Sequence, residues 1–279
     1  MEARIFICYT FIKPGFIKEI SSLATTEHRP TERVLDILEL LSNSESGMTL
    51  TELAKALDAP KSSIMPLVHT MCARNFIYMQ KDTLRYFIGV ATYTVGISYN
   101  NRQSSLQFIK QEMNQITAAC GEICQLGIQS RNMILYIAKT ESSQPIRLIS
   151  SVGKQLPMYC TGLGRVLLSY KSVEEIRHMY PDTLKSYTPN TVATVDDLLK
   201  ELAITRERGY ALEQEETNLM INCVAVSLNV HGAPVAAISV SMPTFRLSEQ
   251  KLQDTVKVLF DAKQRIEAHF EMYGVDFGN

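Results

Sequence analysis

The alternation of apolar and polar positions in residues 49–76 predicts two short helices separated by a tight turn. The second helix has one apolar face at helical spacing, formed by Ile64, Leu67, Val68 and Met71. The first has the same spacing at Leu50, Leu53, Ala54 and Leu57. Asp58 and Ala59 form the predicted turn, and Pro60 is expected at the first position of the second helix, where proline is tolerated. Such a pair is typical of a helix-turn-helix, but an ordinary hairpin of surface helices has the same pattern.

With both apolar faces turned inward, the second helix exposes a mostly polar set of side chains. Its members are Lys61, Ser62, Ser63, Met65 and His69. A lysine and small hydroxyls at the start of an exposed helix suit a helix that enters a DNA major groove with its N-terminus first. We therefore predict that this set contacts DNA.

A β-hairpin is predicted directly after the second helix. Two strand-like runs, residues 76–79 and 84–88, flank turn-forming residues, and Gly89 ends the second run. A hairpin in this position is the wing of a winged helix. Lys81 and Arg85 are expected near its tip, where they can meet phosphate groups of DNA.

Composition limits where any attraction to DNA can originate. The 279-residue chain has a formal net charge of −1, so the attraction must come from a local patch. Between residues 59 and 89, four basic residues accompany a single acidic one, and this segment is the predicted patch. Hydrophobic residues make up 46% of the chain, which indicates a globular protein rather than a disordered one.

The sequence also predicts a cytoplasmic protein without metal or cofactor. No apolar run approaches the roughly 20 residues of a membrane span, and the apolar residues 5–12 are not followed by a cleavage site of small residues. Six scattered cysteines predict free thiols in a reducing compartment. Cys120 and Cys124 form a close pair, but there is no second pair and no histidine nearby, so we predict no zinc site.

Changes of pattern along the chain predict its domains. Residues 1–26 fit no element well and are interpreted as a flexible arm, a short extra helix or an over-long start. Thr31 can cap a helix with an apolar face of Val34, Leu35, Ile37, Leu38 and Leu41. This helix completes a winged helix-turn-helix domain over residues 27–89. A linker helix over residues 90–105 and a second domain over residues 106–272 are predicted to follow.

The second domain is predicted to be a sheet faced by helices. Its predicted helices cover residues 106–119, 162–170, 173–180, 194–208 and 248–270. Its predicted strands cover residues 123–130, 133–139, 146–150, 222–230 and 234–241. An enzyme is the rival hypothesis, with Cys223 as nucleophile and His231 as base. An extended strand would separate these two residues by about 25 Å, and the sequence has no other catalytic motif, so we predict no catalysis.

Four ordered blocks in the second domain are similar to those of the IclR family of bacterial transcription regulators. They are GKQLPMYCTGLGRVLLS (153–169), YTPNT (187–191), RERGYALEQEETNLMINCVAVSL (206–228) and GAPVAAISVSMPTFRLS (232–248). The segment LTELAKALDAPKSSI also resembles the family's recognition-helix region. The resemblance implies an α+β protein, with a winged helix-turn-helix domain joined by a helix to a GAF-like effector-binding domain. It also implies a dimer or tetramer that binds an operator, with repression and activation both open.

The resemblance also implies a pocket for a small effector. Carried over by position, its residues are Gly162, Leu163, Glu213, Cys223, Ser239 and Ser241. The first N–H groups of a helix at Gly162 and Leu163 can face an anion, and Ser239 and Ser241 point to one face of their strand. This chemistry suits a small organic acid, such as a sugar acid or a 2-oxo acid. The alternative is that the serine pair only satisfies neighbouring backbone groups.

Two positions depart from the pattern of the family. Glu213 replaces a common aspartate, which puts the identity of the effector in doubt because the extra methylene reshapes a small polar pocket. Pro66 replaces a common arginine within the predicted recognition helix. Either the helix begins late, with Ser63 as its N-cap, or it kinks at Pro66. Both cases predict weaker DNA binding or an unusual operator, and a sensor that acts through protein contacts is the milder alternative.

Overall fold

The computed structural model describes residues 28–101, 104–144, 151–181, 183–275 and 277. The arm assigned to residues 1–26 and the strand predicted at 146–150 lie outside the described residues. The chain divides into two compact units, Met1–Tyr99 and Asn100–Asn279. Within the described parts of the chain, no helix is both long enough and apolar enough to cross a membrane.

Unit 1 has the winged helix-turn-helix architecture. Its elements are α1 (Arg29–Ser42), β1 (Met48–Thr49), α2 (Leu50–Ala56), α3 (Lys61–Ala73), β2 (Ile77–Gln80) and β3 (Arg85–Ile88), and α4 (Val90–Asn101) begins directly after it. The three strands form an antiparallel sheet in the order β1-β3-β2. One apolar core joins the helices to this sheet, and its buried members include Ile37, Leu41, Leu53, Ile64, Val68, Met71 and Ile77.

The start of α1 corrects one prediction. Thr31 lies inside the helix, and His28 occupies the N-cap position. The His28 carbonyl accepts hydrogen bonds from the Thr31 and Glu32 N–H groups at 2.8 and 3.1 Å, so the first turn closes before Thr31 can cap it. Pro30 favours this early start because its fixed φ suits the first turn of a helix. Leu35, predicted on the buried face, is 56% exposed.

The start of α3 excludes the late beginning that was considered for the recognition helix. Pro60 was predicted at the first helical position but is the N-cap, one residue earlier. Its carbonyl accepts from the N–H groups of Ser63 and Ile64 at 3.0 and 3.3 Å. The helix is therefore formed before Ser63, and Ser63 is not its cap. Pro66 lies in the helix interior, where it has no N–H to donate to the Ser62 carbonyl, yet the helix continues to Ala73.

Unit 2 contains a six-stranded antiparallel sheet in the order β6-β5-β4-β9-β8-β7. Its strands are β4 (Ile123–Ser130), β5 (Met133–Lys139), β6 (Gln155–Pro157), β7 (Ala211–Gln214), β8 (Ile221–Val230) and β9 (Ala233–Pro243). Its helices are α5 (Ser104–Cys120), α6 (Gly162–Leu168), α7 (Val173–Met179), α8 (Val195–Arg208) and α9 (Glu249–Tyr273). The bounds predicted for β4 and β5 are confirmed, whereas β6 and β7 were not predicted because they are short and have little alternation.

The two faces of this sheet have different chemistry. Apolar side chains of β8 and β9, such as Val224, Val226 and Ile238, pack with α5 and α9 in one core. The residues between them point to the opposite face, where α6 lies across the strands. On that face Ser239 and Ser241 are buried although they are polar. A polar site can therefore form there without interrupting the larger core.

Candidate functional site

The outward side of α3 contains most of the predicted DNA-contact residues of that helix. Lys61, Ser62, Met65 and His69 are exposed, and Pro66 is exposed among them. Ser63 is half-buried, and its hydroxyl donates to the Pro60 carbonyl at 2.8 Å. Ser63 thus has its donor engaged at the start of the helix. DNA contact by this set stays a prediction.

The two wing residues have different surroundings. Lys81 is exposed in the turn between β2 and β3. Arg85, expected near the tip where it can meet phosphate, begins β3, and its side chain is engaged within unit 1. Its guanidinium donates to the Gly47 carbonyl at 2.8 Å and to both carboxylate oxygens of Glu52 at 3.1 and 3.2 Å. Glu52 is also the N3 residue of the capping box that begins α2. Arg85 therefore connects the wing to α2, and a phosphate contact would compete with these bonds.

In unit 2 a cavity lies between α6 and the inner face of the sheet. All six residues of the predicted effector pocket line it, together with nine others. The nine are Gln125, Tyr136, Ser151, Lys154, Leu156, Thr161, Thr217, Asn218 and Ile221. The cavity volume is about 30 Å³, which is room for about one or two water molecules. Small-molecule sites typically have roughly 300–1,000 Å³, so a ligand of several carbon atoms requires the cavity to open.

Glycines allow α6 to lie directly on the sheet. A Cβ at Gly164 would come within 2.3 Å of the Met158 backbone, and a Cβ at Gly162 would meet the Ala225 Cβ at 3.3 Å. Thr161 is the N-cap, and its hydroxyl accepts from the Gly164 N–H at 3.1 Å. The N–H groups of Gly162 and Leu163, which precede it, have no carbonyl acceptor within the helix. These packing constraints place the start of α6 beside Cys223 on β8.

A chain of hydrogen bonds crosses the floor of the cavity. The Cys223 thiol and the Ser241 hydroxyl are 3.0 Å apart, and the hydroxyl donates to Gln125 Oε1 at 2.9 Å. Burial and the neighbouring Glu213 raise the pKa of the Cys223 thiol well above its ordinary value. A thiol held protonated is the opposite of an activated nucleophile. His231, the proposed base, lies in the exposed turn after β8.

Glu213 is a buried acid in the cavity wall. Its Oε1 accepts from the Glu216 N–H at 2.7 Å and from the Thr217 N–H at 3.2 Å. Burial raises the pKa of the Glu213 carboxyl above its ordinary value, although the bonds from Cys223 and these two N–H groups act in the opposite direction. The carboxyl therefore takes up a proton more readily than an exposed glutamate does.

Residues distant in sequence hold the loop after β7 in place. Arg165 of α6 donates to the Glu216 carboxylate at 2.5 Å, and its Nε donates to the Tyr159 carbonyl at 3.0 Å. The hydroxyls of Thr188 and Thr191 donate to the carbonyls of Glu215 and Glu216 respectively, each at 2.6 Å. The loop whose N–H groups bond to the Glu213 carboxylate is thus held by two other segments, which include the YTPNT block.

Sequence reasoning missed several residues of the cavity wall. Lys154 supplies a cation at its rim, and its carbonyl accepts from the Tyr136 N–H at 3.0 Å. Gln125 was detectable as a polar residue between apolar residues in the first half of β4. Lys154 had no comparable signal because it lies in a loop that pairs with β5 only in the folded unit. Among the residues that the structure describes, no group of three metal-ligand side chains lies together.

Comparison with known families matches most of the chain. The model described as bacterial transcriptional regulator IclR C-terminal matches residues 98–268. The model described as IclR helix-turn-helix domain matches residues 30–80. The HTH-type transcriptional repressor AllR of Salmonella typhimurium is 29% identical over 237 residues, which are 84% of this chain and 87% of that protein. The AllR repressor of Escherichia coli K12 is also 29% identical, over 84% of this chain and 88% of its own length.

Solved structures give the same result for the fold. An IclR transcriptional regulator from Alicyclobacillus acidocaldarius is 25% identical, with a TM-score of 0.79 over 86% of this chain and 98% of its own. An IclR homologue from Microbacterium hydrocarbonoxydans, complexed with 4-hydroxybenzoate, is 20% identical, with a TM-score of 0.73 over 87% of this chain and 99% of its own. These proteins are transcriptional regulators rather than enzymes.

Proposed function

The chain belongs to the IclR family of bacterial transcriptional regulators, and from that premise we propose how it regulates. Unit 1 binds an operator, and a small organic acid bound in the cavity of unit 2 changes the affinity for that operator. The strongest support for an effector site in unit 2 is that all six residues expected around an effector line a single cavity. The two AllR relatives named above are repressors, and we propose the same sign for this chain. Its DNA partner implies a cytoplasmic location.

The groups around the cavity suit a carboxylate ligand. The N–H groups at Gly162 and Leu163 begin a helix, where partial positive charge favours an anion. Lys154 adds a full positive charge at the rim. Glu213 opposes an anion when ionised, but in its protonated form it donates a hydrogen bond. The 4-hydroxybenzoate bound by the Microbacterium relative is itself a carboxylic acid, which supports this class of ligand.

The small volume of the cavity supports a mechanism by linkage. A ligand that needs more than about 30 Å³ binds only after the wall has moved. Such a ligand therefore prefers an opened state of unit 2, and this preference sets the upper limit of its effect on DNA affinity. We propose that a dimer presents two recognition helices to half-sites one or more DNA turns apart. Opening of the cavity changes their spacing and releases the operator.

A thermal-shift screen against sugar acids, 2-oxo acids and aromatic acids tests the effector site. A ligand at a hundred times its dissociation constant adds about 2.7 kcal/mol to the free energy of unfolding, which raises the Tm by several degrees. We expect Ser239→Ala combined with Ser241→Ala to abolish the shift. Ser227→Ala is the matched control, because Ser227 is also a buried serine of the sheet but does not line this cavity.

Retention of DNA by the purified full-length protein tests the other half of the proposal. We expect fragments from upstream of its own gene to be retained and then released by an acid that gave a thermal shift. Retention that no acid changes would contradict control by an organic acid. A thermal shift without any DNA retention would favour a sensor that acts through protein contacts.

A further inference from the structure

The outward face of α3 has a distinctive composition for a helix that reads DNA bases. Residues 61–73 contain no arginine, asparagine or glutamine. The exposed side chains of this helix are Lys61, Ser62, Met65, Pro66, His69, Thr70 and Ala73. Met65 is 56% exposed although it is apolar. The face therefore lacks three of the residue types that most often read guanine and adenine.

The positions on the helix form one patch. Met65 and Pro66 each lie three or four residues from Ser62 and from His69, so these four side chains are neighbours on the surface. Ile64 and Val68 point the opposite way and are buried in the core. Ser62, Met65 and Pro66 lie in the half of α3 nearer its N-terminus, the part that reaches base edges in helix-turn-helix complexes.

The chemistry of the major groove assigns a partner to this patch. Arginine and lysine read guanine, asparagine and glutamine read adenine, and apolar groups contact the C5-methyl group of thymine. We propose that Met65, with Pro66 beside it, selects operators by contact with thymine methyl groups. This inference rests on the proposed DNA binding and adds the base chemistry that the recognition helix uses.

The exposed polar residues of the first two turns, Lys61 and Ser62, do not substitute for such a contact. We assign Lys61, the first residue of α3, to phosphate contact, which fixes position but reads no sequence. Ser62 can bond to more than one base and so discriminates weakly. Apolar contact at Met65 is therefore the main source of sequence discrimination from the first two turns of the helix.

The test replaces thymine by uracil, which removes only the C5-methyl group. Operators are first selected from a random duplex pool with the full-length protein, and each thymine of a half-site is then replaced singly. At a contacted position we expect the affinity to fall about fourfold, the effect of one buried methyl-sized group. In Met65→Ala the same replacement should change the affinity by much less, whereas Met65→Leu should keep the discrimination.

The matched control is Leu35→Ala. Leu35 is an equally exposed apolar residue of unit 1, 56% accessible, but it lies on α1. We expect this variant to keep the thymine-to-uracil ratio of the unmodified protein. Uracil tolerated at every position, or a ratio unchanged by Met65→Ala, would overturn the inference and leave the proposed function standing. Failure to select any operator would instead overturn the proposed DNA binding.

Discussion

Arg165 and Glu216 form a buried ion pair, with the guanidinium 2.5 Å from the carboxylate and the two side chains 2% and 8% exposed. Glu216 lies three residues after Glu213, and its own N–H donates to the Glu213 carboxylate. The pair therefore holds the loop after β7, whose N–H groups bond to the Glu213 carboxylate in the cavity wall. A contact between α6 and a loop of the sheet edge thus determines the shape of the candidate effector site.

We expect Arg165→Ala to lower the free energy of unfolding by about 3–5 kcal/mol, because it leaves the Glu216 carboxylate buried without its charge partner. Urea denaturation at pH 7 measures the effect. The control is Arg177→Ala, which breaks the exposed pair with Asp196 and should cost less than about 1 kcal/mol. Equal losses in the two variants would contradict a structural role for the buried pair.

Glu213→Gln should remove one source of pH dependence. The folded protein raises the pKa of the Glu213 carboxyl, so its contribution to stability is complete below the pKa of the unfolded chain and is lost as the pH rises through the folded value. The variant should therefore gain stability relative to the wild type at pH 8, and the gain should shrink toward pH 4. Urea midpoints at several pH values measure this trend.

Glu175→Gln is the matched control for that pH dependence. Hydrogen bonds from Ser172 in a capping box lower the pKa of the Glu175 carboxyl. Its contribution to stability is present above the unfolded pKa and is lost as the pH falls through the folded value, which is the opposite sign. A gain of Glu213→Gln that stayed constant with pH would exclude titration of Glu213 as its cause.

Lys154→Gln should weaken the binding of acids in the cavity while leaving uncharged analogues unaffected. Because Lys154 is exposed at the rim, water screens its charge and the expected loss is about two- to fivefold. Calorimetric titration with an acid found in the screen and with its amide separates charge from shape. Lys257→Gln, an exposed lysine outside this cavity, is the control. An equal loss for acid and amide would argue against recognition by charge.

Pro66→Arg should bind the operator more tightly. The variant restores the N–H that bonds to the Ser62 carbonyl and adds a cation on the outward face of α3. We expect the slope of log affinity against log salt to steepen by about one phosphate contact. Pro66→Ala repairs the backbone without adding charge, so it separates the two effects. If the Pro66→Arg variant bound the operator no more tightly than the wild type, the loss of a cation would be rejected as a cause of weak binding.

Much of the fold follows from local pattern. The bounds of β4 and β5 were predicted because alternation of apolar residues and a tight turn at Arg131, which has a φ of 55°, are local properties. The capping of α8 by Thr194 and its end at Gly209 are local in the same way. The helix-turn-helix and the wing were predictable for this reason, and the residue types of the candidate pocket followed from resemblance.

Tertiary structure decided which side chains form ion pairs and which line the cavity. The pairing of Arg85 with Glu52 and that of Arg165 with Glu216 join residues 33 and 51 positions apart, and no spacing rule connects them. Lys154 lines the cavity only because its loop pairs with β5 in the folded unit. The sequence by itself determined the elements and their chemistry, because backbone conformation and amphipathic spacing act over a few residues. Which charges meet, and how small the cavity is, depend on packing between distant segments.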